Sequence, residues 1–320
     1  MVMLFVLLGF GLISFVSWFW LTQPLLTNPS SLSTYAVDPT ILKQHVERLS
    51  QELGPRDEAH IENLDHVAAY IKEAFQKTGA RVSKQPYRIE GKSYRNVIAQ
   101  FGPTTGKRLV LGAHYDTAGP LPGADDNASG VAGLLELARL LDQHPPRILV
   151  ELVAFTLEEP PFFRTTGMGS SVHANSLREQ NADVLAMISL EMIGYFNDTE
   201  GAQHFPAAIL QAFYPSRGDS IAVVGRVSDG LLTRRIKAAM LQVPALKVRS
   251  INAPAFIPGI DFSDQLNYWH AGYRAVMVTD TAFYRNLNYH TVNDTSEKLD
   301  YQRMALVVAG VYAVVEALSE

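Results

Sequence analysis

The stretch GAHYDTAGPLPGADDNASGVAGLLELARLL, residues 112–141, sets His114, Asp116, Asp125 and Asp126 between two apolar runs. Further along, FTLEE supplies Glu158 and Glu159, SLEMIG supplies Glu191, and NYHTVNDT supplies His290. Each piece alone has an ordinary structural explanation. Asp-Asp-Asn ahead of a helix is what capping looks like, a paired glutamate is usually a solvated turn, and a single histidine is usually a hydrogen-bonded support. Their concentration is what points to chemistry, because crowded carboxylates repel one another unless a cation neutralises them. The chain has no cysteine, so a metal must sit on His, Asp and Glu. That donor set suits zinc, with manganese or cobalt as alternatives.

The elements that must position these groups are legible as alternating runs. Strands are predicted at 81–90, 94–101, 107–113, 147–155, 184–190, 220–225 and 275–279. Helices are predicted from Asp38-Pro39 to near 53–55, and at 57–78, 128–143, 167–177, 229–241 and 301–318. The runs at 109–113, 148–155 and 275–279 are continuously apolar, as strands buried on both faces should be. The fold class expected is α/β: a three-layer sandwich with a mostly parallel central sheet flanked by helices. In such sheets functional groups gather beyond the carboxyl ends of the strands. His114-Tyr-Asp116, Glu158-Glu159, Glu191 and Asp280 all fall at such ends, and His290 follows in the loop after the last one.

In this order and spacing, GAHYD, PGADDNASG, FTLEE, SLEMIG and NYHTVNDT resemble the clan MH zinc exopeptidases. More narrowly, they are similar to the family of bacterial dizinc aminopeptidases, glutamate carboxypeptidase and glutaminyl cyclases, over residues 40–320. The resemblance implies two zinc ions and a role for each matching residue. His114 and Glu191 would bind one metal or the other, as would Glu159 and His290, with Asp126 bridging the pair. Asp116 would orient the His114 imidazole, Glu158 would be the general base, and Asp125 a turn or cap residue. Position alone makes Tyr284 or Tyr289 a candidate donor to the oxyanion. The motifs PPFFR (160–164) and PAFIPG (254–259) are candidate surfaces for a substrate side chain. Three positions depart from the family pattern: Glu191 stands where many relatives have Asp, Gln265 where many have His, and PPFFR where a Gly-rich run is usual.

At 320 residues, with 47% hydrophobic and 18% charged side chains, the chain can build a sizeable core. Its net charge of −5 argues against nucleic acid as a partner. Residues 1–37 carry no charged side chain, and MVMLFVLLGFGLISFVSWFWL is long enough to span a bilayer once, with Trp18 and Trp20 suited to an interface. The expected organisation is a transmembrane anchor at 1–22, a linker at 23–37, and a peptidase domain at 38–320. Within that domain, 195–262 is a candidate lid or insertion. The expected activity is that of a membrane-anchored aminopeptidase acting on peptides with free N-termini, on the periplasmic or extracellular side. A single-zinc glutaminyl cyclase and a non-catalytic receptor-like ectodomain are the competing readings. All the ligand positions still hold His, Asp or Glu, which counts against the last.

Overall fold

The three continuously apolar runs become the middle of one sheet. In the computed structural model, which describes residues 15–25 and 36–319, eight strands pair in the order β1-β2-β4-β3-β5-β8-β6-β7. They are β1 (Arg81–Ile89), β2 (Lys92–Phe101), β3 (Arg108–His114), β4 (Leu149–Phe155), β5 (Val184–Glu191), β6 (Ile221–Gly225), β7 (Val248–Asn252) and β8 (Ala275–Thr279). The block β4-β3-β5-β8 is parallel throughout, and β2 and β6 attach to its two sides antiparallel. The hairpin strand β1 alternates exposed and half-buried residues, as an edge strand does, whereas β4 and β8 are buried at every position.

Side chains alternate between two cores with the period of the strands. Leu109, Leu111, Val150 and Leu152 face one core; Val110, Val153, Phe155 and Met277 face the other. The first core is covered by α1 (Pro39–Glu47), α2 (Ile61–Gln76), α3 (Gly130–Gln143), α5 (Gly230–Met240) and α7 (Tyr301–Ser319). The second lies under α4 (Gly169–Glu179) and α6 (Gln265–His270). The three-layer α/β sandwich expected from the sequence is therefore present. Helix α1 starts where Asp38 accepts the Thr40 N–H at 2.8 Å with Pro39 in the first turn, a cap matched to the helix geometry.

Segment 195–262, a candidate lid or insertion on sequence, supplies β6, α5 and β7 to the sheet and its cover. Strand β7 and helix α6 escape sequence reading: VRSIN interrupts its apolar positions with Arg249 and Ser250, unlike the equally short but continuously apolar β8, and α6 is only six residues long. The expected anchor at 1–22 falls largely outside the described residues, as does much of the linker; its last part, residues 15–22, is helical. Among the described residues one helix is long and apolar enough to cross a membrane. This is α7, and 67% of its most apolar stretch is buried in the fold, so it serves here as a core helix.

Candidate functional site

Parallel pairing lines up the carboxyl ends of four neighbouring strands. His114 stands opposite Phe155 of β4, and Glu191 stands opposite Thr279 of β8. The loop after β4 carries Glu158 and Glu159 back over this edge, and the loops before α3 and after β8 bring Asp126 and His290. His114 Nε2 lies 3.3 Å from Asp126 Oδ1 and 3.3 Å from Glu191 Oε2. On the other side, His290 Nε2 lies 3.1 Å from Asp126 Oδ2 and 3.2 Å from Glu159 Oε1. Two triads thus form, His114/Asp126/Glu191 and Asp126/Glu159/His290, with ligand atoms inside each within 4.8 Å of one another. Asp126 belongs to both. Glu158 joins His114 and Glu159 in a third group, its Oε2 3.9 Å from His114 Nε2.

The electrostatics of this cluster favour added positive charge. Burial pushes Glu158 well above the usual carboxylate range, opposed by His114 and reinforced by Glu159 and Glu191. Burial, then the Asp126 charge, takes Glu159 up to about 8. Burial would lower both imidazoles, but Glu191 and Glu158 outweigh it at His114, and Asp126 and Glu159 carry His290 up to about 10. Burial would raise Asp126, yet the two imidazoles hold it below its ordinary value. Without a cation, the cluster must collect protons to offset its negative charge. His114 Nε2 and Asp126 Oδ2 are also buried with no directed hydrogen bond, their neighbours at 3.1–3.3 Å being other members of the two triads. Nitrogen and oxygen donors, buried ligand-type atoms and excess negative charge together fit divalent metal binding.

The acidic residues of the cluster are held from behind through their backbone N–H groups. Asp116, the residue expected to orient the His114 imidazole, faces His114 Nδ1 with its backbone carbonyl at 3.2 Å, its carboxylate standing 3.7 Å away. That carboxylate instead accepts the N–H groups of Glu158 at 3.1 Å and Glu159 at 3.0 Å. Asp294 does the same for the other acidic pair, accepting the N–H groups of Asp125 and Asp126, each at 3.0 Å. One carboxylate therefore clamps each pair of adjacent acids. Asp125 caps no helix: it turns away from the ligands, taking the Gly194 N–H and the Asn286 amide. Asn127 ties this loop to the next, accepting from Gly130 and Met192 and donating to the Leu190 carbonyl. Gly123, at φ 56°, leaves no room for a side chain, since a Cβ would meet the Asp126 carbonyl at 2.3 Å.

Sequence reading missed Asp294, Asn127 and Arg56. Arg56 is fully buried and spends its guanidinium on the carbonyls of Leu49, Tyr115, Pro122 and Gly123. Burial lowers it to about 10, against the pull of Asp294 and Asp126, so it stays charged at neutral pH. The membership of Asp294 in NYHTVNDT was its one available signal.

A cleft with about 960 Å³ of open space begins at Glu191 and Tyr289 and runs between β6–β7 and the loops before α6. Its walls are mostly apolar, including Leu210, Ile260, Phe262, Met277 and Phe283. Of the motifs expected to offer such a surface, PAFIPG contributes Pro258 and Gly259, while Phe256 stands 82% exposed to solvent. Phe162 and Phe163 pack on Tyr94 and Phe262 instead of lining the cleft. The Tyr284 hydroxyl donates to the Pro258 carbonyl, and the Tyr289 ring stacks on His290 at 3.7 Å.

The profile described as Peptidase family M28 matches residues 96–315. An uncharacterized Escherichia coli protein, YfbL, is 52% identical over 281 residues, spanning 85% of this chain and 86% of its own. Leucine aminopeptidase 1 of Ajellomyces capsulatus is 26% identical over 74% of this chain, which spans 60% of that relative's length. Among solved structures, the zinc aminopeptidase BSAP from Bacillus subtilis aligns with a TM-score of 0.70 at 15% identity, covering 88% of this chain and 95% of that one. Glutaminyl cyclase from Bacteroides thetaiotaomicron aligns with a TM-score of 0.67 at 19% identity, covering 88% and 99%. These two similarities establish a shared fold.

Proposed function

The chain belongs to peptidase family M28, and from that premise we propose that it is a membrane-anchored, dizinc aminopeptidase. The observation that carries this reading is Asp126, shared by two ligand triads with Glu158 beside them. His114, Asp126 and Glu191 would hold one zinc, and Asp126, Glu159 and His290 the other. Bound there, the ions supply Lewis acidity, which acidifies water and polarises a peptide carbonyl. The remaining work belongs to the chain. Glu158, buried beside His114 and clamped through its N–H by Asp116, takes a proton from the attacking water and returns it to the leaving amine. Tyr289 borders both the ligands and the cleft, which makes it the better placed of the two tyrosines to reach substrate; Tyr284 is engaged with Pro258. The apolar cleft suits a bulky hydrophobic first residue. The anchor rests on the uncharged run at 1–22, with the catalytic domain on the periplasmic or extracellular side.

The test compares two neighbours. Glu158→Gln should keep its metal and its substrate affinity and lose turnover by ~10²–10⁴-fold, falling on kcat. Glu159→Ala should lose metal. Peptides with free N-termini should be shortened and acetylated ones left intact. A metal-replete Glu158→Gln protein with near wild-type turnover would remove Glu158 as the base. Loss of ammonia from Gln-initiated peptides, with no shortening of any peptide, would identify a cyclase.

A further inference from the structure

The apolar N-terminal run ends against a particular face of the domain. Residues 15–22 form helix, and Thr22 and Gln23 are buried. The carbonyls at this helix end are gathered by the domain: Lys237 Nζ donates to Thr22 at 2.9 Å and Gln23 at 3.2 Å, Ser250 Oγ donates to Thr22 at 2.7 Å, and Arg234 donates to Pro24. Arg234 also stacks over the Phe19 ring at 5.5 Å. Gly230 accommodates this docking, because a Cβ there would lie 3.1 Å from the Trp20 ring. The end of the run is thus seated on α5 and β7, at the sheet edge opposite β1.

The same face leaves apolar side chains in solvent. Val227 and Leu231 are 48% and 67% exposed, and on the helix seated here Phe15, Val16 and Trp20 are 57%, 44% and 45% exposed. On α5 and the turn before it, Val227, Gly230, Leu231 and Arg234 follow a spacing of three and four residues, so they form one stripe. Trp20 and Phe19 lie on that stripe at Gly230 and Arg234. Residues 226–249 hold six Lys or Arg against one Asp, in a chain whose net charge is −5; of the six, Lys247 pairs with Asp219 at 2.5 Å and Lys237 is spent on the carbonyls above, which leaves Arg226, Arg234 and Arg235 nearest the stripe in sequence. The one acid, Asp229, is buried and paired with Arg226 at 2.9 Å.

We propose that this face, the start of α5 together with residues 15–20, lies against an anionic lipid bilayer. The occupant is a bilayer because residues 15–22, the described end of the uncharged N-terminal run, are seated on this face, so the proposed anchor brings lipid to it. Exposed apolar side chains with Arg226, Arg234 and Arg235 close by in sequence suit the headgroup boundary, where rings and aliphatic tips insert and guanidinium groups meet phosphate. The domain is then held at two points, by the anchor and by the α5 stripe, instead of swinging freely on a linker. This rests on the membrane anchor proposed above.

A chain without cysteine allows clean single labels. Leu231→Cys and Val227→Cys in the full chain, carrying an environment-sensitive fluorophore, would be reconstituted into phosphatidylcholine vesicles containing a minor share of phosphatidylglycerol. Lys92→Cys, on the exposed β1–β2 hairpin at the opposite edge, is the reference. The labels at 227 and 231 should shift to the blue and lose most of their intensity to a lipid-borne quencher, and more weakly without phosphatidylglycerol; the label at 92 should do neither. If the chain floats with the vesicles but all three labels stay equally open to water, the face is wrong and the anchor stands. If the labels at 227 and 231 are shielded yet untouched by the lipid quencher, a protein surface covers them and the bilayer assignment falls. Failure to float removes the anchor, and this inference with it.

Discussion

Replacing Asp294 tests whether the metal centre depends on how its backbone is held. Asp294 is 1% exposed and ligates nothing in either triad, yet its two oxygens take the N–H groups of Asp125 and Asp126 at 3.0 Å each. Asparagine has the same shape but keeps a single acceptor, and its amide nitrogen would face the second N–H donor to donor. Losing one charge-assisted bond and stranding a buried N–H costs about 2–4 kcal/mol, and alanine, losing both bonds, about 3–6 kcal/mol. Loss of one negative charge near Asp125 and Asp126 works the other way, and that relief shrinks once cations neutralise the cluster. Against a typical domain stability of about 5–15 kcal/mol, Asp294→Asn should fold and Asp294→Ala should be marginal. Supports behind ligands are typically worth ~10–100-fold in metal affinity, so Asp294→Asn should weaken zinc binding by that order. A chelator-competition titration reads the affinity, and thermal unfolding of the metal-free chain reads the stability cost separately. A destabilised Asp294→Asn chain that binds zinc as tightly as wild type would refute the clamp as a determinant of the site.

Two further outcomes follow from contacts made by residues outside both triads. Gly130→Ala, judged by helix propensity alone, should stabilise α3 by about 1 kcal/mol; its Cβ would however meet Asn127 Oδ1 at 2.3 Å and the Leu190 carbonyl at 2.6 Å, so we expect a lower melting temperature and lost metal, and a gain in stability would contradict the contact. His45 and His173, each beside a tyrosine hydroxyl, are both lowered to about 4, chiefly by burial. Folding therefore favours their neutral forms: their contribution is complete above about pH 6.5 and is lost as pH falls toward 4, at most about 3 kcal/mol each. The His45→Gln variant should lose less melting temperature than wild type between pH 7 and pH 4.5, and parallel curves would exclude His45 as a source of acid sensitivity.

The sheet edge could be read from the chain because long apolar runs announce strands buried on both faces, and parallel strands deliver their carboxyl ends to one place. Strand β7 announces nothing of the kind: VRSIN is short, and it exposes Arg249. The clamps are harder still. Asp116 and Asp294 act on N–H groups, which every residue but proline carries, so no side-chain pattern records their targets. Arg56 likewise binds only carbonyls. Sequence also cannot explain how two adjacent glutamates come to differ. Leu157, at φ 60°, bends the chain just before the pair, and Asp116 then fixes both following N–H groups. From that shared hold, Glu159 reaches His290 at 3.2 Å, while Glu158 stops 3.9 Å from His114. The proposed ligand and the proposed base are thus separated by backbone direction, with identical side-chain chemistry on each. On this account Asp116→Asn should blur the distinction before it abolishes binding. The clamp requires the two glutamates to lose their separate roles together, with metal affinity and turnover falling in the same variant, whereas a carboxylate that only oriented His114 would spare the Glu158 step once zinc is saturating.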